Sequence, residues 1–167
     1  MTTSSEQSAV SRAIDAYFAG ERRDALVFTL LGAANLGAAA AVLLGVPGQR
    51  LLALALGFIG VLEIVPGGWA VRRQAARHAD ALARHRSDPE AFRAEEMERL
   101  RRILDARRRL RIADAVFVLA FVVVVLLAPP GERLAWLAVP GQMALLPILN
   151  VVMERRTRRF LAALEGR

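Results

Sequence analysis

The chain contains no cysteine and no lysine among its 167 residues. Without cysteine it has no thiolate for disulfide exchange, for an iron–sulfur cluster or for a thiolate zinc site. Its two histidines, His78 and His85, both lie outside the apolar stretches, which excludes histidine ligation of haem within a membrane bundle. There is also no nucleophile elbow, phosphate-binding loop or pair of carboxylates with a base. The sequence therefore favours a non-enzymatic protein without catalytic, cofactor-binding or metal-binding residues.

What the chain does contain is apolar sequence in four long stretches. Hydrophobic residues make up 55% of the chain and charged residues 23%, so the charges must be segregated between the stretches. About 20 helical residues, each rising about 1.5 Å, cross a hydrocarbon core of roughly 30 Å. The sequence predicts an all-α, polytopic membrane protein of one domain, 1–167, with four transmembrane helices at 25–46, 51–71, 110–128 and 134–152.

The arginine distribution predicts the orientation of these spans. Twenty-one of the 23 arginines lie in the segments 1–24, 72–111 and 153–167, and the two short connections carry only Arg50 and Arg133. By the positive-inside rule, both termini and the central segment are cytoplasmic. The lysine-free, arginine-rich composition is typical of a bacterial protein, so we expect the bacterial inner membrane. Because the arginines flank spans, we expect anionic lipid headgroups as partners and no nucleic acid.

Three segments are expected to lie in the cytoplasm. Residues 1–24 predict an amphipathic helix on the membrane surface that ends near Gly20, with a frayed terminus as the alternative. Residues 72–109 predict an antiparallel helical hairpin between the second and third spans, because 87–90 combine a capping-box pattern with proline in the first turn. Residues 153–167 are expected to form a tail.

Glu63 is the leading candidate for a functional residue because it lies deep in the second span. An ionised residue there costs about 2.5–3.5 kcal/mol, so an intramembrane acid is a functional hypothesis by default. Pro66 follows and removes one helical hydrogen bond. Asn35 and Gln142 fall at similar depth and complete a candidate intramembrane polar cluster. Asn35, Gln142 and Glu63 also fit a purely structural role, in which their hydrogen bonds hold neighbouring helices together.

Other candidates lie at the edges of the spans. Asp114 and Asn150 are expected at the inner boundary, with Asp114 paired to Arg111 or Arg155. Small residues recur every four positions in the first span and predict close helix packing, within the chain or between copies: Ala33, Gly37, Ala41 and Gly45. The expected contacts with headgroups or a partner are Arg72, Arg73, Arg107, Arg108, Arg109, Arg155 and Arg156.

Three functions remain open on these residues. The first is a membrane scaffold or accessory subunit whose basic hairpin docks a protein partner or anionic lipid, working as a homo-oligomer or in a complex. The second is a small oligomeric channel or proton-coupled transporter that uses Glu63. The third is a lipid-modifying enzyme, which the lack of a nucleophile or metal cluster makes the weakest of the three.

Overall fold

The computed structural model describes residues 4–45, 48–130, 133–137 and 145–166, and all regular structure within them is helical. The all-α class is therefore confirmed. The helices are α1 Ser4–Gly45, α2 Arg50–Ser87, α3 Pro89–Leu127, α4 Arg133–Trp136 and α5 Leu145–Leu164. Helices α1, α2 and α3 each contain a segment long and apolar enough to cross a membrane, as expected of a membrane protein. The predicted fourth span, 134–152, includes 138–144, which lie outside the described residues.

The junction between α2 and α3 follows the predicted helix-start signal. The Asp88 carboxylate accepts a hydrogen bond of 3.0 Å from the backbone N–H of Ala91, and Pro89 begins the helix. Asp88 is therefore the N-cap, whereas the Ser87 hydroxyl donates to the carbonyl of Arg84. An ion pair of 2.6 Å between Arg84 and Glu95 joins the two helices beside this junction.

The N-terminal segment differs from its prediction as a separate surface helix. Helix α1 runs without a break through Gly20 for 42 residues, about 60 Å, which is twice the length that a span requires. At Gly20 the guanidinium of Arg156 occupies the space where a side chain would stand, so the absent side chain lets α5 approach α1 closely. The expected helix end near Gly20 is therefore wrong.

The apolar face of this segment is buried in protein rather than in a membrane surface. Ile14 is fully buried, and the Tyr17 ring stacks on Phe160 with centroids 4.6 Å apart. The core combines residues from four helices: Val10, Ile14, Tyr17, Phe18, Ala81, Phe92, Leu100, Phe160 and Leu164. We call these parts of α1, α2, α3 and α5, residues 4–24, 72–109 and 153–164, the extramembrane bundle. The expected tail at 153–167 is thus helical to Leu164 and packed.

Within the apolar parts, α1 and α2 run antiparallel in direct backbone contact. A Cβ on Gly32 would lie 2.6 Å from the backbone nitrogen of Ile64, and a Cβ on Gly67 would lie 2.7 Å from the hydroxyl of Thr29. The predicted stripe of Ala33, Gly37, Ala41 and Gly45 is not this contact face, since all four residues are exposed. The face of α1 that carries Thr29, Gly32 and Asn35 packs against α2 instead.

Candidate functional site

The deepest polar contact joins the two helices that pack by their glycines. The Asn35 side-chain amide donates a hydrogen bond of 2.8 Å to Oε2 of Glu63. Asn35 is 4% exposed and Glu63 5% exposed, so this pair is sealed inside the protein. Two members of the predicted intramembrane cluster are thus in contact. Pro66 lies within α2, less than one turn after Glu63, and Gln142 lies outside the described residues.

The position of this pair follows from the closest approach of the helices. A Cβ on Gly60 would lie 2.8 Å from the backbone carbonyl oxygen of Gly32 and 3.1 Å from the Cβ of Asn35, so a side chain at 60 would push α1 away from α2. An amide N–H can donate to a carboxylate or to the carbonyl oxygen of a neutral carboxyl group. The hydrogen bond between Asn35 and Glu63 can therefore form whether Glu63 is ionised or neutral. It links α1 to α2, as polar side chains between membrane helices commonly do.

A second polar cluster lies where the apolar stretches meet the extramembrane bundle. Arg156 of α5 donates to both carboxylate oxygens of Asp24, at 2.6 Å and 3.1 Å. The side chains are 20% and 8% exposed, respectively, so most of this bidentate pair is shielded from water. A guanidinium that donates two parallel hydrogen bonds to the two oxygens of one carboxylate makes the strongest form of arginine–carboxylate contact. The pair fixes α5 against α1 at the point where α1 leaves the bundle.

Glu21, one turn from Asp24, connects α1 to α2. It accepts a hydrogen bond of 2.8 Å from the Tyr17 hydroxyl and lies 3.5 Å from a guanidinium nitrogen of Arg77. The Gln74 side chain donates to the Phe18 carbonyl at 2.7 Å. Burial, together with the charge of Glu21, raises the pKa of Tyr17 well above its usual range. The phenol is thus held in its neutral form.

The predicted boundary residues Asp114 and Asn150 bind each other. The Asn150 amide donates to Asp114 at 2.5 Å. The expected partners of Asp114 were wrong, because Arg111 instead lies 3.3 Å from Glu154. Hydrogen bonds from Arg158 lower the pKa of Glu154 below its ordinary range, and the charge of Arg111 contributes in the same direction. The contacts from Asp114 and Arg111 tie α3 to α5.

The arginines predicted to meet headgroups or a partner divide into two groups. Arg156 is engaged by Asp24, and Arg107 is half-buried with its Nη1 shielded from water and without a hydrogen bond. These two are less exposed than the other members of the set. The exposed members are Arg72, Arg73, Arg108, Arg109 and Arg155, of which Arg73 lies over the Trp69 ring at 4.4 Å.

The histidines contribute to packing between α1 and α2. His78 Nε2 lies 2.7 Å from an Asp15 carboxylate oxygen, and His85 Nε2 lies 3.4 Å from the carbonyl of Gln7. Within the described part of the chain, no three potential ligands from His, Cys, Asp and Glu group closely enough to hold a metal ion.

Sequence reasoning missed the acids that organise the boundary, namely Glu21, Asp24 and Glu154. A signal for them is present in the sequence. Asp24 directly precedes the first apolar stretch, Glu154 follows the last one within two residues, and both stand among arginines. An acid at such a position pairs with arginine wherever helices bring the two together, because the boundary shields both from water.

Comparison of the chain with protein-family models, with curated proteins and with solved structures finds no match. The class defined by the fold is an all-helical protein with three membrane-crossing candidates among its described helices. Its polar groups tie helices together at two levels, one within the apolar part and one at its edge.

Proposed function

We propose that the chain is an integral protein of a bacterial inner membrane that acts without catalysis, as a scaffold or accessory subunit. Four spans, including 134–152, anchor it as one domain, and both termini lie in the cytoplasm. The segment 72–109 forms an antiparallel hairpin that, together with both terminal segments, presents a basic docking surface. The partner is a protein with an acidic surface, and anionic lipid headgroups bind the arginines nearest the membrane.

The observation that carries this proposal is that the extramembrane bundle has its own apolar core and a basic exterior. Leu100 and Ile14 are fully buried, while Arg86, Arg102 and Arg109 are exposed on the outside. A surface on which arginines outnumber acids attracts and orients a partner of the opposite charge. The polar contacts of Asn35 and Glu63 serve packing, which leaves the bundle as the chemically distinctive surface.

The orientation is tested with reporter fusions after Ser87 and at the C-terminus. An enzyme that works only in the cytoplasm should be active at both positions, and one that works only outside the cytoplasm should be inactive at both. Fusions after Gly48 should show the reverse pattern. External activity at Ser87 would overturn the proposed orientation.

Docking is tested by crosslinking in cells followed by purification of the full chain. The variant Arg86→Gln/Arg102→Gln should lose the partner adducts by about tenfold, since each exposed arginine contributes to electrostatic attraction. The control Asp80→Asn/Asp105→Asn changes two exposed acids of the same bundle and should retain the adducts. Unchanged adducts in the arginine variant would contradict docking through the basic surface.

Self-assembly is part of the proposal because the small-residue stripe remains exposed. A Cβ on Gly37 or on Gly45 would meet nothing within 4 Å, so a second helix can approach closely there. Gly37→Leu should abolish homo-oligomer crosslinks, whereas Gly68→Leu, an equally open position on α2, should leave them. Crosslinks that survive Gly37→Leu would exclude this stripe as the oligomer contact.

A small oligomeric channel or proton-coupled transporter is the second candidate, because Glu63 is an acid buried in a helix apolar enough to cross a membrane. A cavity of about 270 Å³ lies on the bundle side of Glu63, and Glu63 does not line it. Its lining includes Pro66 and Gly67 together with the polar residues Glu21, Gln74 and Arg77. Proteoliposome flux decides between the two functions. A scaffold gives no proton flux with wild type or with Glu63→Gln, whereas flux that Glu63→Gln abolishes would establish transport and displace the first proposal.

A further inference from the structure

A basic cavity opens between α1 and α5 beside the Asp24–Arg156 pair. Its volume is about 550 Å³, within the range of roughly 300–1,000 Å³ that is usual for sites that hold a small molecule. Its polar lining is Tyr17, Arg155, Arg156 and Arg159, and none of the acidic residues that the structure describes lines it. An anion is therefore the species that its electrostatics favour.

Two of these arginines lack a counter-charge within the described residues. Arg156 is held by Asp24, whereas Arg155 and Arg159 are exposed and form no hydrogen bond or ion pair with another described residue. Like charges that line one cavity repel each other, and this repulsion is relieved when an anion binds between them. A guanidinium can donate two parallel hydrogen bonds to one phosphate group.

The cavity has an apolar side that faces toward the spans. Val152, the last residue of the predicted fourth span, lines it, and Val151 and Ile148 of the same helix are exposed just beyond. One ligand can therefore place a phosphate against the arginines and its acyl chains along the exposed aliphatic side chains of α5. A free phosphate ion would leave that apolar side uncovered.

We propose that this cavity binds the headgroup of an anionic phospholipid from the surrounding leaflet, with Arg155 and Arg159 as the phosphate-binding residues. The inference rests on the proposed location in a membrane, because the lipid must reach the cavity from the side. It gives the predicted headgroup contacts a defined site, and it adds Arg159, which sequence reasoning did not single out.

The test titrates the full chain, purified in detergent, with phosphatidylglycerol or with phosphatidylcholine and counts bound lipids by native mass spectrometry. We expect phosphatidylglycerol to bind in preference to phosphatidylcholine. In Arg155→Gln/Arg159→Gln this binding should weaken by about ten- to thirtyfold, the loss expected for two arginines at a membrane surface. Arg155→Lys/Arg159→Lys keeps both charges but cannot form the paired guanidinium hydrogen bonds, so its loss should be smaller than that of the glutamine variant.

The matched control is Arg12→Gln/Arg101→Gln, which removes the same charge from two exposed arginines that lie outside the cavity and are not among the expected headgroup contacts. It should change phosphatidylglycerol binding by less than about twofold, because only diffuse attraction is lost. Equal losses in the control and in the cavity variant would overturn the defined site. Displacement of the lipid by an equal concentration of inorganic phosphate would also overturn it, in favour of a free anion.

Two further measurements distinguish the absence of a lipid site from misfolding of a variant and from failure of the scaffold proposal. Circular dichroism and gel filtration of each variant show whether it is folded, and the lysine variant provides a second folded comparison. If the reporter fusions place the bundle in the cytoplasm while phosphatidylglycerol and phosphatidylcholine bind equally, the lipid site is wrong and the scaffold proposal stands.

Discussion

Replacing Gly32 by alanine tests the packing that holds the membrane helices together. A Cβ at Gly32 would lie 2.6 Å from the backbone nitrogen of Ile64 and 2.7 Å from the carbonyl oxygen of Gly60. These are backbone atoms, so α2 itself would have to retreat by about 0.8 Å to reach an ordinary contact distance of 3.4 Å. Overpacking of this kind costs about 1–3 kcal/mol.

The same shift acts on the buried hydrogen bond. The Asn35 amide and Glu63 carboxyl oxygen, now 2.8 Å apart, would separate to about 3.6 Å if the helices moved rigidly, beyond hydrogen-bonding distance. Interhelical hydrogen bonds contribute on average only about 0.6 kcal/mol, so loss of contact between backbones remains the larger effect. We therefore expect Gly32→Ala to lower the free energy of unfolding by about 1–3 kcal/mol relative to a matched alanine.

Gly37→Ala is that matched control. It lies on the same helix, and a Cβ there would meet nothing within 4 Å. Both substitutions gain the same helix propensity of about 1 kcal/mol, so the difference between them isolates the packing cost. Equilibrium unfolding in mixed micelles, followed by circular dichroism, measures both variants. Equal stability of the two would refute direct backbone contact between α1 and α2.

Three further predictions concern the boundary between spans and bundle. Asp24→Asn should destabilise the fold by about 2 kcal/mol, because it leaves a largely shielded Arg156 unpaired, and a double-mutant cycle with Arg156→Gln should show positive coupling. The lowered pKa of Glu154 stabilises the fold above its ordinary value of 4.5, and this contribution disappears as the pH falls through the lower folded value. Glu154→Gln should therefore reduce the loss in the free energy of unfolding at acidic pH. An unchanged loss would contradict the lowered pKa of Glu154. Tyr17 has a raised pKa, so stability should decline as the pH rises above the ordinary value of 10.0, and Tyr17→Phe should reduce that decline in alkaline unfolding titrations.

The single amino-acid sequence was sufficient for the helical class, for three of the apolar segments and for the helix start beside Asp88. These features depend only on neighbouring residues in the sequence, namely on the length of an apolar stretch and on a local capping pattern. The absence of cysteine likewise excluded thiolate chemistry without any structural information. The orientation of the spans and their membrane remain predictions of the arginine distribution.

Only the tertiary structure decided which side chains meet. Asp24 and Arg156 are 132 positions apart, and nothing in either local sequence specifies their contact. Contacts of this kind depend on how far each helix is rotated about its axis and how it is shifted along its neighbour. Gly37, which is exposed, lies five residues from the buried Gly32, so at about 100° per residue the two stand about 140° apart around the helix axis. Hydropathy defines how long a helix is in the membrane, whereas packing defines which of its faces is inside.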